Sequence, residues 1–118
     1  MAKLIEDVQA LLMTAAPTGG VWFGVNSTEP PVYPYIVWTP VVSTDNVSLG
    51  GPSDLQNTRI QIDVIALKVS EAVALTGAVD AAFKASSIGN VPISSLTTFE
   101  EAILAHRFVR DYSVWATN

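Results

Sequence analysis

The clearest hydrophobic pattern lies at residues 58–67, "TRIQIDVIAL". Ile60, Ile62, Val64 and Ala66 fall on one side of an extended chain, and Arg59, Gln61 and Asp63 on the other. Strict alternation of this kind predicts a strand with one buried and one polar face. The stretch "HRFVRDYSVWA" at 106–116 predicts another strand. Phe108, Tyr112 and Val114 share a face with Arg110, while Arg107, Val109, Asp111, Ser113 and Trp115 share the other. "YIVWTPVVS" at 35–43 reads as a strand with an edge position or a bulge at Pro40. "VWFGV" at 21–25 reads as a short strand or extended segment.

Two segments follow a helical period instead. At 3–15, Leu4, Ile5, Val8, Leu11 and Leu12 recur on one face, with Lys3, Glu6, Asp7 and Gln9 covering the other. Pro17, Gly19 and Gly20 end that helix. At 71–86, with Ser70 as N-cap, Ala72, Leu75, Val79, Ala82 and Phe83 make a core stripe, and Asp80 and Lys84 are spaced to pair. A row of small residues, Ala74, Ala78, Ala81 and Ala85, runs beside that stripe. It reads either as helix propensity or as a flat strip for contact with a neighbouring subunit. The polar run 44–57, "TDNVSLGGPSDLQN", reads as a long connection between strands, and 86–98 as a loop with at most a short strand. "FEEAILA" at 99–105 is open between a helical turn and an extended approach. The order of elements predicts one α+β domain over residues 1–118: a mainly antiparallel sheet with two helices packed on one face.

Composition sharpens this picture. Apolar residues make up 49% of the 118 and charged residues only 14%, against about 25% charged in a typical globular chain. The apolar surplus needs a membrane, a full core or an interface. The longest apolar run, "PVYPYIVWTPVV", is too short and too rich in proline to cross a bilayer as a helix. Glu6 and Asp7 fall where a signal peptide would be apolar. There is no cysteine, so thiolate metal sites and disulfides are excluded. A net charge of −5 with six scattered Lys and Arg argues against nucleic-acid binding as the main function.

Candidate chemistry is thin. His106 is the only histidine, and Asp111, at odd spacing from it, would point to the opposite face of a strand. No G-x-S-x-G turn supplies a nucleophile. Glu100 and Glu101 are adjacent and therefore diverge. Asp45 and Asp54 lack the alternating oxygen ligands of a calcium loop. "LGGPSD" at 49–54 has two glycines but no following lysine and no helix, as a phosphate loop requires. It reads as a turn in an exposed connection. The expectation is no catalysis, no cofactor and no metal. The surfaces expected to touch partners are the connection (Asp45, Leu49, Gly50, Gly51, Asp54), the polar strand face (Arg59, Gln61, Asp63) and the alanine row (Ala74, Ala78, Ala81, Ala85).

The stretches "YPYIVW" (33–38), "STDNVSLGGPSDLQNTRIQIDV" (43–64), "SEAVAL" (70–75) and "RDYSVW" (110–115), in this order and spacing, resemble the tail completion (tail terminator) proteins of long-tailed bacteriophages. Residues 86–105 match no pattern of that family. The resemblance implies a structural virion protein of α+β fold. Its members form a homo-oligomeric, hexameric ring that caps the head-proximal end of the tail tube. Implied partners are other copies of the chain, the major tail tube protein and the head–tail connector. DNA would only pass through the lumen, which an acidic chain lines without gripping it. No membrane and no cofactor are implied.

Overall fold

The computed structural model describes residues 2–27, 31–48, 51–86, 88–100 and 105–117; side chains at 2–4, 42–57, 91, 93–100 and 116–117 fall outside that description. The elements are α1 (Ala2–Met13), β1 (Val21–Phe23), β2 (Tyr35–Ser48), β3 (Gly51–Ala66), α2 (Val69–Ala85), β4 (Gly89–Glu100) and β5 (Ala105–Thr117). The sheet order is β1-β2-β3-β5-β4. β1 is parallel to β2, and every other pairing is antiparallel. The architecture is α+β, as the pattern of periods predicts.

β3 is the central strand, and its alternation sets the layers. Ile60, Ile62 and Val64 are fully buried. They join Ile36 and Trp38 of β2, Tyr112 and Val114 of β5, Val8, Leu11 and Leu12 of α1, and Leu75, Val79 and Phe83 of α2 in one apolar core. Both helices therefore lie on the same face of the sheet. A smaller cluster, Tyr35, Ile65 and Ala105, is backed by Trp22, Tyr33 and Val37. The period of two assigns that cluster to the opposite face, at one end of the strands.

Polar ties complete the helix–sheet contacts. Gln9 does not cover the solvent face of α1. Its amide accepts from Trp38 Nε1 at 2.7 Å and donates to the Val21 carbonyl at 2.9 Å. A buried indole N–H needs an acceptor, and Gln9 supplies it while binding α1 to β1 and β2. α1 ends where Ala16 adopts positive φ and Thr14 Oγ1 donates to the Leu11 carbonyl. The turn that follows is held against β2, with Gly19 N–H bonded to the Pro34 carbonyl at 2.7 Å and Trp22 Nε1 to the Gly19 carbonyl at 2.8 Å.

Several expectations are corrected. The connection at 44–57 is mostly strand: β2 runs on to Ser48 and β3 begins at Gly51, with Ser48 opposite Gly51. Leu49 and Gly50 lie outside the described residues. The turn-forming residues of this segment signal a loop, yet the pairing of β2 with β3 overrides that local preference. Register shifts at Pro40/Val42 and Asp45/Val47 absorb the irregularities, so Pro40 does mark a bulge. Residues 89–98 are no loop. They contain most of β4, which pairs with β5 from Gly89↔Trp115 to Glu100↔Ala105. Its polar composition hides the period of two because it is an edge strand. Of "FEEAILA", Phe99, Glu100 and Ala105 are extended, and 101–104 fall outside the described residues. α2 starts at Val69, with Lys68 at the N-cap and no side-chain cap bond, so Ser70 is inside the helix.

Two glycines give opposite expectations. A Cβ on Gly19 would lie 1.8 Å from the Val32 carbonyl oxygen, so Gly19→Ala should destabilise the fold by about 2 kcal/mol or more, because backbone must move. A Cβ on Gly77, within α2, meets nothing, so Gly77→Ala should stabilise it by about 0.5–1 kcal/mol. Denaturant midpoints of the two variants, set against the unaltered chain, test both.

Candidate interaction surfaces

The helix-free face of the sheet carries the first candidate group. Arg59, Gln61 and Asp63 point outward from β3 beside Arg107 and Asp111 of β5. Arg59 Nη2 bonds Asp111 Oδ2 at 2.6 Å, and Arg107 Nη2 bonds Asp63 Oδ2 at 2.8 Å. Gln61 Nε2 donates to Asp63 Oδ1 at 3.1 Å. Each ion pair is diagonal: Arg59 faces Ser113 and Gln61 faces Asp111 across the ladder. Such part-exposed pairs contribute only about 0–1 kcal/mol each. Their consequence is electrostatic. These two arginines and two aspartates cancel locally, so the face offers little net field to an ionic ligand.

The alanine row lies on the helix layer, on the other side of the molecule, and borders three separate depressions. Ala74 and Ala78 line one with Pro17, Thr18 and Pro34. Ala81 lines a cavity of about 450 Å³ with Gly77, Asp80, Lys84, Pro92, Arg110 and Tyr112. Ala85 lines a groove of about 790 Å³ between the helices, with Asp7, Ala10 and Thr14. The third group is not placed in detail. Gly51 and Asp54 belong to β3 and Asp45 to β2, but their side chains, like Leu49 and Gly50, fall outside the described residues. Among the described residues, the β3 face and the alanine row thus lie on opposite sides of the sheet and do not converge on one site.

Asp80 is not turned toward Lys84. Its Oδ2 accepts from Arg110 Nη2 at 2.8 Å, and its Oδ1 accepts the Tyr112 hydroxyl. The Tyr112 ring stacks on Phe83 with centroids 4.2 Å apart and planes at 15°. Together these contacts seat α2 over β3 and β5. This cluster was not anticipated, although an arginine on the apolar face of 106–116 signals a carboxylate partner from another element. His106 and Asp111 sit at odd spacing on β5 and so face opposite ways. Asp111 is bonded to Arg59 instead. Among the described residues, no group of three His, Cys, Asp or Glu is placed to hold a metal ion, and no helix is long and apolar enough to cross a membrane.

Burial pushes the Tyr112 phenol up to about 12, its bond to Asp80 and that carboxylate's charge adding to the rise while Arg110 opposes it. The folded chain therefore keeps the phenolic proton between about pH 10 and pH 12, where the unfolded chain releases it. Stability contributed by the neutral phenol is complete below pH 10 and is lost by about 2–3 kcal/mol as pH rises through 12. Tyr112→Phe should flatten this alkaline decline. Thermal midpoints measured between pH 9 and pH 12 for both chains decide it, and parallel curves would count against the Asp80–Tyr112 bond.

Comparison with known proteins agrees with this geometry. In solved structures, 28 chains match significantly. One, from the virion of a native gene transfer agent particle, superposes with a TM-score of 0.67 at 19% identity, covering 92% of this chain and 86% of that one. At that identity the match establishes the shared fold. No curated protein sequence matches the chain significantly. The sequence profile of the family described as "Tail completion protein gp17" matches residues 3–115, and the chain therefore belongs to that family of phage tail structural proteins.

Proposed function

We propose that the chain folds as a single domain and closes into a homo-oligomeric ring, hexameric by family resemblance, at the head-proximal end of the phage tail tube. The ring stops tube polymerisation and presents the surface to which the head joins. The observation that carries this reading is the family match, which spans nearly the whole chain, residues 3–115. Its partners are then other copies of itself, the major tail tube protein and the head–tail connector, with DNA only passing through the lumen. Assembly takes place in the host cytoplasm, and the ring remains in the virion tail. The work is contact rather than catalysis.

The geometry supports a contact protein. The charges on the open sheet face are spent on one another. Phe23, Val25 and Val41 are exposed on or beside β1 and β2, apolar area that a subunit of an assembly can bury. Arg59, Gln61 and Asp63, the alanine row and the β2–β3 arm with Asp45, Leu49, Gly50, Gly51 and Asp54 remain candidate contact surfaces for the tube, the connector or the next copy. In a phage carrying this gene, its deletion should give overlong tails or tails not joined to heads, as seen by negative-stain electron microscopy. Tails of normal length that still join heads would refute the proposal. Normal tails that fail only at joining would instead assign the chain to another neck position.

A further inference from the structure

The two edges of the sheet are unlike and complementary. At one edge, no described strand pairs with the outer side of β4. From Ser94 to Glu100 it contains no proline, no lysine and no register shift, which are the usual guards of an exposed edge. Beside it, α2 covers β3 and β5 but leaves the cavity of about 450 Å³ toward β4 open. Gly77 lines that cavity at a cost to the helix relative to alanine, although none of the described residues of its own chain would meet a Cβ there. At the other edge, Gln9 takes the outward Val21 carbonyl of β1, and beyond it the strand presents Phe23 and then Val25, which are 48% and 70% exposed.

The ladder shows that these features lie at the same height. Phe23 is level with Trp38, Ile62, Arg110 and, on β4, Ser95. Two residues on from Trp38, Pro40 is level with Ile60, Tyr112 and Pro92, and Arg110, Tyr112 and Pro92 line the cavity; Val25 follows β1 at that end, beyond Gly24. Phe23 also stands on the helix side of the sheet, where it meets Trp38 edge-on at 5.0 Å. The cavity is on that side too. Strand directions agree: β1, β2 and β5 run one way, β3 and β4 the other. Laying a second sheet edge to edge in the same orientation therefore sets β4 antiparallel to β1 of the next copy, the better-bonded arrangement.

We propose that β4 of one copy pairs antiparallel with β1 of the next, with Phe23 and Val25 of that next copy filling the cavity beside Gly77, Ala81 and Pro92. The interface is heterologous, one edge against the other, and so propagates around a ring rather than closing as a dimer. The partner's side is apolar, and the acid in the cavity is already answered, Asp80 being held by Arg110 and Tyr112. This inference rests on the ring reading above and supplies its subunit contact.

The chain has no cysteine, so a disulfide between introduced residues reports the contact directly. The double variants Val25→Cys/Pro92→Cys and Phe23→Cys/Ser95→Cys are to be assembled into tails and oxidised. Within one chain, β1 and β4 are about 19 Å apart across the sheet, too far for a disulfide. A ladder of covalent dimers, trimers and larger species on non-reducing gels, absent from each single variant, is the expected result. Covalent dimers from Pro92→Cys alone would show like edges meeting and overturn the proposal. So would normal tails whose double variants give no cross-link, and this result would leave the terminator role standing, since that is decided by deletion. If the cysteines block assembly, amide exchange of the unaltered chain decides. The outward-facing amide of Phe23 and the stretch 94–98 must both slow by about tenfold or more between free chain and tails, and an unchanged rate in either would overturn the pairing.

Discussion

The position of α2 depends on the contact of Phe83 and Asp80 with Tyr112 and Arg110. Burial of Leu75, Val79 and Phe83 drives the helix onto the sheet without fixing its direction, because burial is non-directional. The stacked rings set the approach, and the carboxylate, gripped by a guanidinium and a phenol on one strand, sets the rotation. The result is a helix centred on β3 and β5 rather than on β4. The open cavity and the uncovered edge follow from that placement. Removing one partner would leave charge without an answer in a half-buried site, which costs more than the pair itself contributes.

Gln9 has the corresponding role for α1. By answering the Trp38 indole and the Val21 carbonyl together, it holds the first helix close to β1 and β2. Both helices are thus tied to particular strands by polar bonds inside an apolar layer. The helix-free face has no such layer. Its charges are balanced pairwise across the ladder, and among the described residues apolar burial lies at the end around Tyr35, Ile65 and Ala105. A sheet that places its helices on one face and mutually paired charges on the other is suited to standing in an assembly, with distinct surfaces for distinct neighbours.

How much of this could be read from the sequence depended on whether an element is buried on one face. β3 and β5 alternate cleanly because a core lies on one side, so Ile60, Ile62, Val64, Tyr112 and Val114 were legible. The helix stripes were legible for the same reason. The far part of the β2–β3 hairpin and the whole of β4 were not. Backbone pairing rather than a hydrophobic period specifies them, and their serines, asparagines and glycines carry the local signature of turns. The candidate surface residues were legible as types, not as a site. Arg59, Gln61 and Asp63 do share a face, whereas the alanine row divides among three depressions. The spacing of Asp80 and Lys84 suggests a pair, whereas Asp80 binds Arg110 and Tyr112, because helical spacing is visible in a sequence and a strand's approach is not.

Gly77 shows how these levels join. Read alone, a glycine in the middle of α2 is a defect, since alanine would favour the helix and the space for a methyl group is open. Read with the seat of α2, it widens a cavity whose lining includes the Asp80–Arg110–Tyr112 cluster. Arg110 of that lining stands at the height where the opposite edge of the sheet exposes Phe23. A residue that weakens the isolated chain yet leaves room for a neighbour is what a subunit needs when its final stability comes from assembly. Under the proposed edge pairing, the local rule is broken where one copy would meet the next, and the loss in the helix and the fit at the edge are two consequences of one missing side chain.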